Sequence, residues 1–457
     1  MADQPVRFHT PIRARHHGVV RAGLTTLDGR LGDREVVAFV IDPENGTGAL
    51  GEADGDVLAE TARTARELRR PLVGIIGSAG VDILGGISAL HGWGRAAREI
   101  ARCSGLIPVC MVVDGPAVSG VALLLGLADL LVMTEESYAF VSGPAMVADF
   151  TGIFLDNQTL GGAATHARNT GLPLLVGTNV ADALDQLAST LSFLPDSVDF
   201  EAPFTPTNDP VEREADELDD VIPASTTGSY DVRAVARGIV DDGYLVELRA
   251  RWAPNLVTAF ACVGGRPVGI VANQPLALAG TLDIPAAQKG AAFVALCDAF
   301  NLPIVTLVDT PGYFPGKDLE WRGMIRHGAQ MAFAYAEATV PRVCVVMRKA
   351  YGGAFIVMDC KTMGNDICMA WPSAEIAVMG AKGAVQILSR RDSEEVRLQK
   401  ELDYAADYLN PYVAAERGYV DMVIAPHETR RLVGRALDLL ATKREMLAGK
   451  RHGNSPL

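Results

Sequence analysis

Apolar residues along this chain gather into runs of about six or seven, separated by longer stretches in which apolar and alanine positions recur every three to four residues. The runs read as buried strands and the stretches as helices. Val36-Val37-Ala38-Phe39-Val40-Ile41 predicts a first strand, and Leu58 to Leu68 a helix. Arg70 to Ile76 starts a strand, Ile107 to Val113 another, and Tyr138 to Val141 a third. In the second half, Val257 to Val263 and Gly269 to Ala272 read as strands, followed by a helix from about Ala286 to Phe300. Leu302 to Val308, Pro341 to Met347 and Ala374 to Gly380 are further strands, and Glu428 to Met446 is the last helical run. Alternation of strand and helix puts the chain in the α/β class.

The two halves keep one rhythm. Proline to proline is 37 positions in the first (71 to 108) and 38 in the second (303 to 341). Proline to glycine is 12 in both (108 to 120, 341 to 353), and each copy then continues through a helix into another apolar strand. Matched spacings joined to matched apolar runs in the same order indicate an internal duplication.

Two segments break the rhythm. Residues 1 to about 17 are polar, end in Arg13-Ala14-Arg15-His16-His17, and read as a flexible arm. Residues 206–229 are acidic and flanked by proline, with no apolar period, and read as a linker. The expected domains are therefore 18–205 and 230–446, with a frayed tail from Gly449 onward.

Composition narrows the function classes. The 457 residues carry a formal net charge of −14, which argues against nucleic acid and anionic membrane as bulk partners. The longest apolar stretch, Gly120 to Met133, is interrupted by Asp129 and is too short to span a bilayer. Met1-Ala2-Asp3-Gln4-Pro5 lacks the apolar core of a signal peptide. Seven scattered cysteines with no C-x-x-C pair suggest buried, reduced thiols in a cytoplasmic protein. Neither His166 nor His327 has metal-ligand spacing to other His, Cys or carboxylate groups, and no metal is expected.

The most informative local motif is Lys349-Ala350-Tyr351-Gly352-Gly353-Ala354-Phe355-Ile356, between two apolar strands. Two adjacent glycines after a buried strand let a turn bring backbone N–H groups close to a ligand, since no Cβ intervenes. Donors aimed that way stabilise negative charge on an oxygen.

Several segments then carry a family resemblance: Val271-Ala272-Asn273-Gln274-Pro275, Cys297 to Pro303, Val308-Asp309-Thr310-Pro311-Gly312-Tyr313, Ile325 to Ala329, Arg348 to Ala354 and Ala370 to Val385. Together they span most of residues 231 to 390. This half resembles the carboxyltransferase (β) subunit of biotin-dependent acyl-CoA carboxylases, the acetyl- and propionyl-CoA carboxylase family. The first half matches more loosely, through Ser142-Gly143-Pro144 and Leu160 to His166.

The resemblance implies two tandem crotonase-like ββα superhelix domains, an acyl-CoA side in 18–205 and a biotin side in 230–446. It implies that carboxybiotin on a partner gives up CO2, that the biotin nitrogen takes the α proton of an acyl-CoA, and that the enolate captures the CO2. Active sites would lie at the dimer interface of a hexamer of β chains, served by a biotin carboxylase/biotin carboxyl carrier partner. No biotinylation sequence or ATP-binding half is found here. By resemblance, Gly353 and Ala354 supply N–H donors to biotin, and Ser119 and Gly120 supply them to the thioester. Gly80 and Gly143 are substrate-binding positions, and Ile356 borders the acyl pocket. An aspartate at the Ile356 position is associated with propionyl-CoA, and isoleucine with acceptance of acetyl-CoA.

Two departures fall on the acceptor side. The family's Gly-Gly pair reads Ser119-Gly120 here, and its Ser-Gly-Gly-Ala-Arg segment reads Ser78-Ala79-Gly80-Val81-Asp82. These departures raise an unusual acceptor and a catalytically degenerate scaffolding subunit as alternatives, and a malonyl-CoA-type decarboxylase of the same fold is the enzyme rival. Arg348-Lys349 and Arg390-Arg391 are basic pairs that could meet CoA phosphates or simply be solvated.

Overall fold

A computed structural model describes residues 6–11, 24–44, 46–223, 225, 228–450 and 453–455. The basic run at 13–17 lies outside the described residues. The chain divides into two units, Met1–Pro203 and Phe204–Leu457.

Unit 1 is built on a mixed sheet of β1 (Val6–Pro11), β2 (Leu24–Leu31), β3 (Arg34–Ile41), β4 (Leu72–Ser78), β5 (Val109–Val118), β6 (Leu130–Thr134) and β8 (Leu175–Gly177), in that order, with β7 (Tyr138–Phe140) also on β5. The first three strands pair antiparallel and the rest parallel. Its helices are α1 (Glu52–Leu68), α2 (Gly86–Ala101), α3 (Gly120–Leu125), α4 (Pro144–Thr151), α5 (Asn157–Gly161), α6 (Ala163–Asn169) and α7 (Val180–Leu191). The expected flexible arm is corrected here: Val6–Pro11 pairs with β2 as an edge strand.

Unit 2 repeats the plan. Its sheet runs β9 (Leu245–Leu248), β10 (Leu256–Val263), β11 (Arg266–Asn273), β12 (Ile304–Thr310), β13 (Arg342–Tyr351), β14 (Ile367–Ala370) and β16 (Met422–Val423), with β15 (Glu375–Ala377) on β13. Its helices are α8 (Val232–Ile239), α9 (Ile284–Ala299), α10 (Lys317–Trp321), α11 (Met324–Glu337), α12 (Gly352–Val357), α13 (Ala381–Leu388), α14 (Glu394–Tyr408), α15 (Pro411–Glu416) and α16 (Thr429–Leu440). The strand order is the same in both units, position for position. Each unit has its own core, which includes Phe39, Met111 and Val113 in one and Val305, Val345 and Met369 in the other.

The prolines that betray the repeat have a physical role. Each stands just before a parallel strand, where its missing N–H costs no ladder bond. Each offers its carbonyl to the neighbouring strand: Pro71 to Val37 N–H at 3.0 Å, Pro108 to Leu72 at 3.0 Å, Pro303 to Gly269 at 2.8 Å and Pro341 to Ile304 at 2.9 Å.

The acidic segment differs from the expected free linker. Ala215 and Leu218 are buried in the core of unit 2. Glu212 pairs with Arg435 at 2.8 Å, and Asp219 with His427 at 2.9 Å. The negative charges that suggested solvation thus meet basic side chains on or beside α16, more than 200 residues later. All seven cysteines are free and buried. Among the described residues, no helix is long and apolar enough to cross a membrane.

Candidate functional site

In unit 2, β13 runs straight into α12. Gly352 makes the turn with φ +59, and a Cβ there would lie 3.1 Å from the Val378 carbonyl. The first N–H groups of a helix have no acceptor within it, so the Gly353 and Ala354 donors are not used by α12. Gly353 is exposed and Ala354 is buried beneath it. Tyr351, just ahead of the turn, donates its hydroxyl to Glu375 and ties the turn to β15.

A cavity of about 470 Å³ opens at this turn. Gly353, Ile356 and Val357 of α12 form one wall, Met324 and Gly328 of α11 another, and Tyr313 closes a side. Gly328 and Ala329 keep α11 thin here; a Cβ on Gly328 would come within 3.1 Å of the Tyr313 hydroxyl. Burial pushes the Tyr313 phenol up, so it stays a neutral donor. The structure therefore brings Gly353 and Ile356 into one apolar-walled space.

Behind the turn lies a buried polar cluster that the sequence reading missed. Asp309, on a fully buried strand, accepts from Lys349 N–H (3.1 Å), Arg348 Nε (3.0 Å) and the Tyr230 hydroxyl (2.9 Å). Arg348 also donates to the Gly228 carbonyl at 2.7 Å and stacks on the Tyr230 ring. Arg348 is thus a correction: it is buried and paired, not a surface cation for CoA phosphates. A lone aspartate inside an apolar strand, Ile304-Val305-Thr306-Leu307-Val308-Asp309-Thr310, was the signal available.

In unit 1, β5 runs into α3 in the same way. Gly80 carries φ +114, and a Cβ on it would sit 3.4 Å from Ser119 Cβ. Val81 Cγ2 would lie 3.4 Å from a Cβ on Gly120, and Trp93 Nε1 donates to the Gly120 carbonyl at 2.8 Å. Gly143, at the start of α4, faces the ring of Phe140. So Gly80, Ser119 and Gly120 converge, while Gly143 packs on the ring of Phe140, whose carbonyl accepts the Ser119 N–H at 2.9 Å. Asp82 is buried and accepts the Leu84 N–H at 3.1 Å in the turn that leads into α2.

Ser119 is the structural surprise. Its backbone sits at φ 60, ψ −132, and its N–H donates to the Phe140 carbonyl at 2.9 Å. That donor is committed within the sheet. By the repeat, Ser119 matches Gly352, Gly120 matches Gly353, and Val121 matches Ala354. A side chain at this φ/ψ is strained, whereas glycine is not. Ser119→Gly is therefore expected to stabilise unit 1 by about 1 kcal/mol, read as a raised denaturation midpoint at unchanged m-value. An unchanged or lowered midpoint would show that the serine is accommodated without strain.

Both candidate histidines serve local structure. His166 bonds the Ala139 carbonyl (2.8 Å) and Thr170 (2.9 Å), and His327 lies between Gln288 and Gln330.

A family model described as the carboxyl transferase domain matches residues 3–455. The chain is 43% identical over 459 residues to the propionyl-CoA carboxylase beta chain of Saccharopolyspora erythraea, covering 96% of this chain and 83% of that one. It is 41% identical over 441 residues to the methylmalonyl-CoA decarboxylase subunit alpha of Veillonella parvula, covering 96% and 85%. Among solved structures, transcarboxylase 12S, a hexamer with hydrolysed methylmalonyl-coenzyme A bound, superposes with a TM-score of 0.95 at 40% identity, over 98% of this chain and 90% of that one.

Proposed function

The chain belongs to the carboxyl transferase domain family, and from that premise we propose that it moves a carboxyl group between carboxybiotin on a partner carrier and the α carbon of a short acyl-CoA. The observation that carries this reading is the cavity at the start of α12, where Gly353 and Ile356 face one space. Its walls suit the flat, uncharged ring of biotin: apolar contacts from Tyr313, Met324 and Val357, and a glycine where backbone donors can approach a urea oxygen. Bound there, carboxybiotin supplies the activated carboxyl group and a nitrogen base.

The protein's own part is to hold charge. Gly353 and Ala354 N–H groups hold the oxygen charge on the biotin side. On the thioester side the same role falls to the first turn of α3. Because the Ser119 N–H is committed to Phe140, Gly120 and Val121 are its donors, with Gly80 and Gly143 shaping the acyl-CoA site. Copies of the chain assemble as a hexamer in this reading, which accounts for the exposure of Ile83, Leu84, Phe150 and Phe154. A partner with biotin carboxylase and carrier domains supplies the carboxybiotin.

For the acceptor, Ile356 gives an apolar wall and favours acetyl-CoA alongside propionyl-CoA. Ile356→Asp is expected to raise the propionyl-to-acetyl ratio of kcat/KM by about 10-fold, since pocket-wall changes discriminate by about 1–3 kcal/mol. An unchanged ratio would remove Ile356 from the acyl pocket.

A second reading follows from the methylmalonyl-CoA decarboxylase relative: the same site working towards CO2 release in a larger assembly. The test is transfer of labelled carboxyl from methylmalonyl-CoA or malonyl-CoA to free biocytin, followed by acyl-CoA carboxylation with a reconstituted partner. Transfer in both directions supports the carboxylase reading. Loss of CO2 from malonyl-CoA with no biocytin present would favour a biotin-independent decarboxylase instead.

A further inference from the structure

The two units meet one geometric problem at the same place and solve it differently. In each, the central strand pair loses register just before the functional turn. In unit 1 the ladder passes from Ile76↔Val113 to Ser78↔Ala117, so residue 77 faces residues 114–116. In unit 2 it passes from Val308↔Val346 to Thr310↔Ala350, so residue 309 faces residues 347–349. An irregularity of this kind re-aims the strand and leaves backbone groups without ladder partners. A buried N–H so released must find an acceptor.

Unit 1 deletes the donor. The position facing the skipped step is Pro116, which has no N–H, and the opposing residue is Gly77. No side chain fits there: a Cβ on Gly77 would lie 2.5 Å from Pro43 Cδ and 2.6 Å from the Asp114 carbonyl. Unit 2 keeps the donor and captures it. Lys349 replaces the proline, Asp309 replaces the glycine, and the Asp309 carboxylate accepts the Lys349 N–H at 3.1 Å. The other carboxylate oxygen accepts from Arg348 and Tyr230, and the Asp309 N–H is fixed by Asn273 Oδ1 at 3.2 Å. Only Ala350 and Tyr351 separate Lys349 from the Gly352–Gly353 turn.

We propose that Asp309 is a positioning residue for the carboxyl-donor half of the site, setting through the Lys349 N–H the direction in which β13 delivers the Gly353 and Ala354 amides. Asp309 does not line the cavity. This rests on the reading of unit 2 as the biotin side. It also explains why a buried ionic cluster stands behind the turn of unit 2 where unit 1 has Gly77 and Pro116: the strand entering α12 is held by a side chain, whereas the strand entering α3 is held by the proline's fixed ring.

The experiment measures carboxyl transfer from methylmalonyl-CoA to biocytin by the full chain, per folded enzyme, with thermal melting in parallel. Asp309→Asn keeps the size of the side chain but loses the charge that orders Arg348 and Tyr230 around it. It is expected to lower kcat by about 100-fold, the scale of an ångström-level misplacement. KM for the acyl-CoA should stay within about twofold, because that interaction belongs to uniform binding on the other side. Tyr230→Phe removes a single donor to the carboxylate and should show the same pattern at about 10-fold, the lower end of what a hydrogen bond to a charged group contributes. A merely structural role moves the melting point and leaves kcat per folded enzyme alone. Wild-type kcat in folded Asp309→Asn overturns the proposal. So does wild-type kcat in Tyr230→Phe if Asp309→Asn does not fold. A wild-type chain that cannot carboxylate biocytin overturns the carboxyltransferase reading itself, and this inference with it.

Discussion

Gly353→Pro is expected to slow carboxyl transfer by about two to three orders of magnitude, or about 3–4 kcal/mol of lost charge stabilisation. Proline removes one backbone donor and little else at this position. Gly353 lies in the first turn of α12, where the N–H has no acceptor within the helix and proline breaks no helical hydrogen bond. Space is available: a Cβ on Gly353 would lie 3.7 Å from the Tyr313 ring, an ordinary contact. Gly353→Ala is the matched control, since it adds the same first carbon and keeps the N–H. It should retain activity within about tenfold of wild type, as expected when a hydrogen bond is kept and only packing changes. The measurement is kcat for transfer to biocytin, with melting curves to show that both variants fold. Equal losses in the two variants would mean that the cavity rejects bulk. A fully active Gly353→Pro would mean that this amide holds no charge.

Much of this was legible because it rests on short-range rules. The duplication showed through four prolines, and the fold explains why they could not wander: each sits where a strand begins and its carbonyl completes the neighbouring ladder. The Gly352-Gly353 turn was legible because a buried strand followed by two glycines has few other uses. What stayed hidden was long-range or conformational. The strand at Val6–Pro11 is short and polar, and only its pairing with β2 makes it a strand. Ser119 reads as an ordinary substitution; its positive φ and its committed N–H belong to the turn rather than to the residue type. Met324 and Gly328 reached the cavity through small residues on α11, a pattern that in sequence looks like any alanine-rich helix face. Asp309 stood in plain view, yet its meaning depends on Gly77 and Pro116, which match Asp309 and Lys349 only once the two sheets are laid register on register.

The acidic segment is the clearest failure of local reading, and Arg430 makes it testable. Arg430 is fully buried on α16. It donates to the carbonyls of Pro210 (3.2 Å), Asp209 (3.1 Å) and Ile239 (2.7 Å), and to the Asp241 carboxylate at 2.8 Å. Asp241 in turn accepts the Gly264 and Gly265 N–H groups, fixing the turn between β10 and β11. One guanidinium therefore joins the start of the acidic segment, the end of α8 and the central sheet. Arg430→Met keeps much of the volume but leaves Asp241 buried without a countercharge and three carbonyls short of donors. The expected cost is about 3–5 kcal/mol, or on the order of 10 °C in the melting of unit 2, with hydrogen exchange rising first at residues 204–223. Asp209 adds a pH signature. Burial pushes its carboxyl up, but the Arg213 hydrogen bond, the Asp242 N–H and the Arg430 charge together hold it below the usual range. A depressed carboxylate gives stability that is complete above its unfolded value, about pH 4, and is lost as pH falls through the folded one. Arg430→Met should therefore flatten the acid limb of the stability profile as well as lower its plateau. If the variant melts like wild type, and its acid limb is unchanged, the segment is a tether after all and the charges around Arg430 are incidental to the fold.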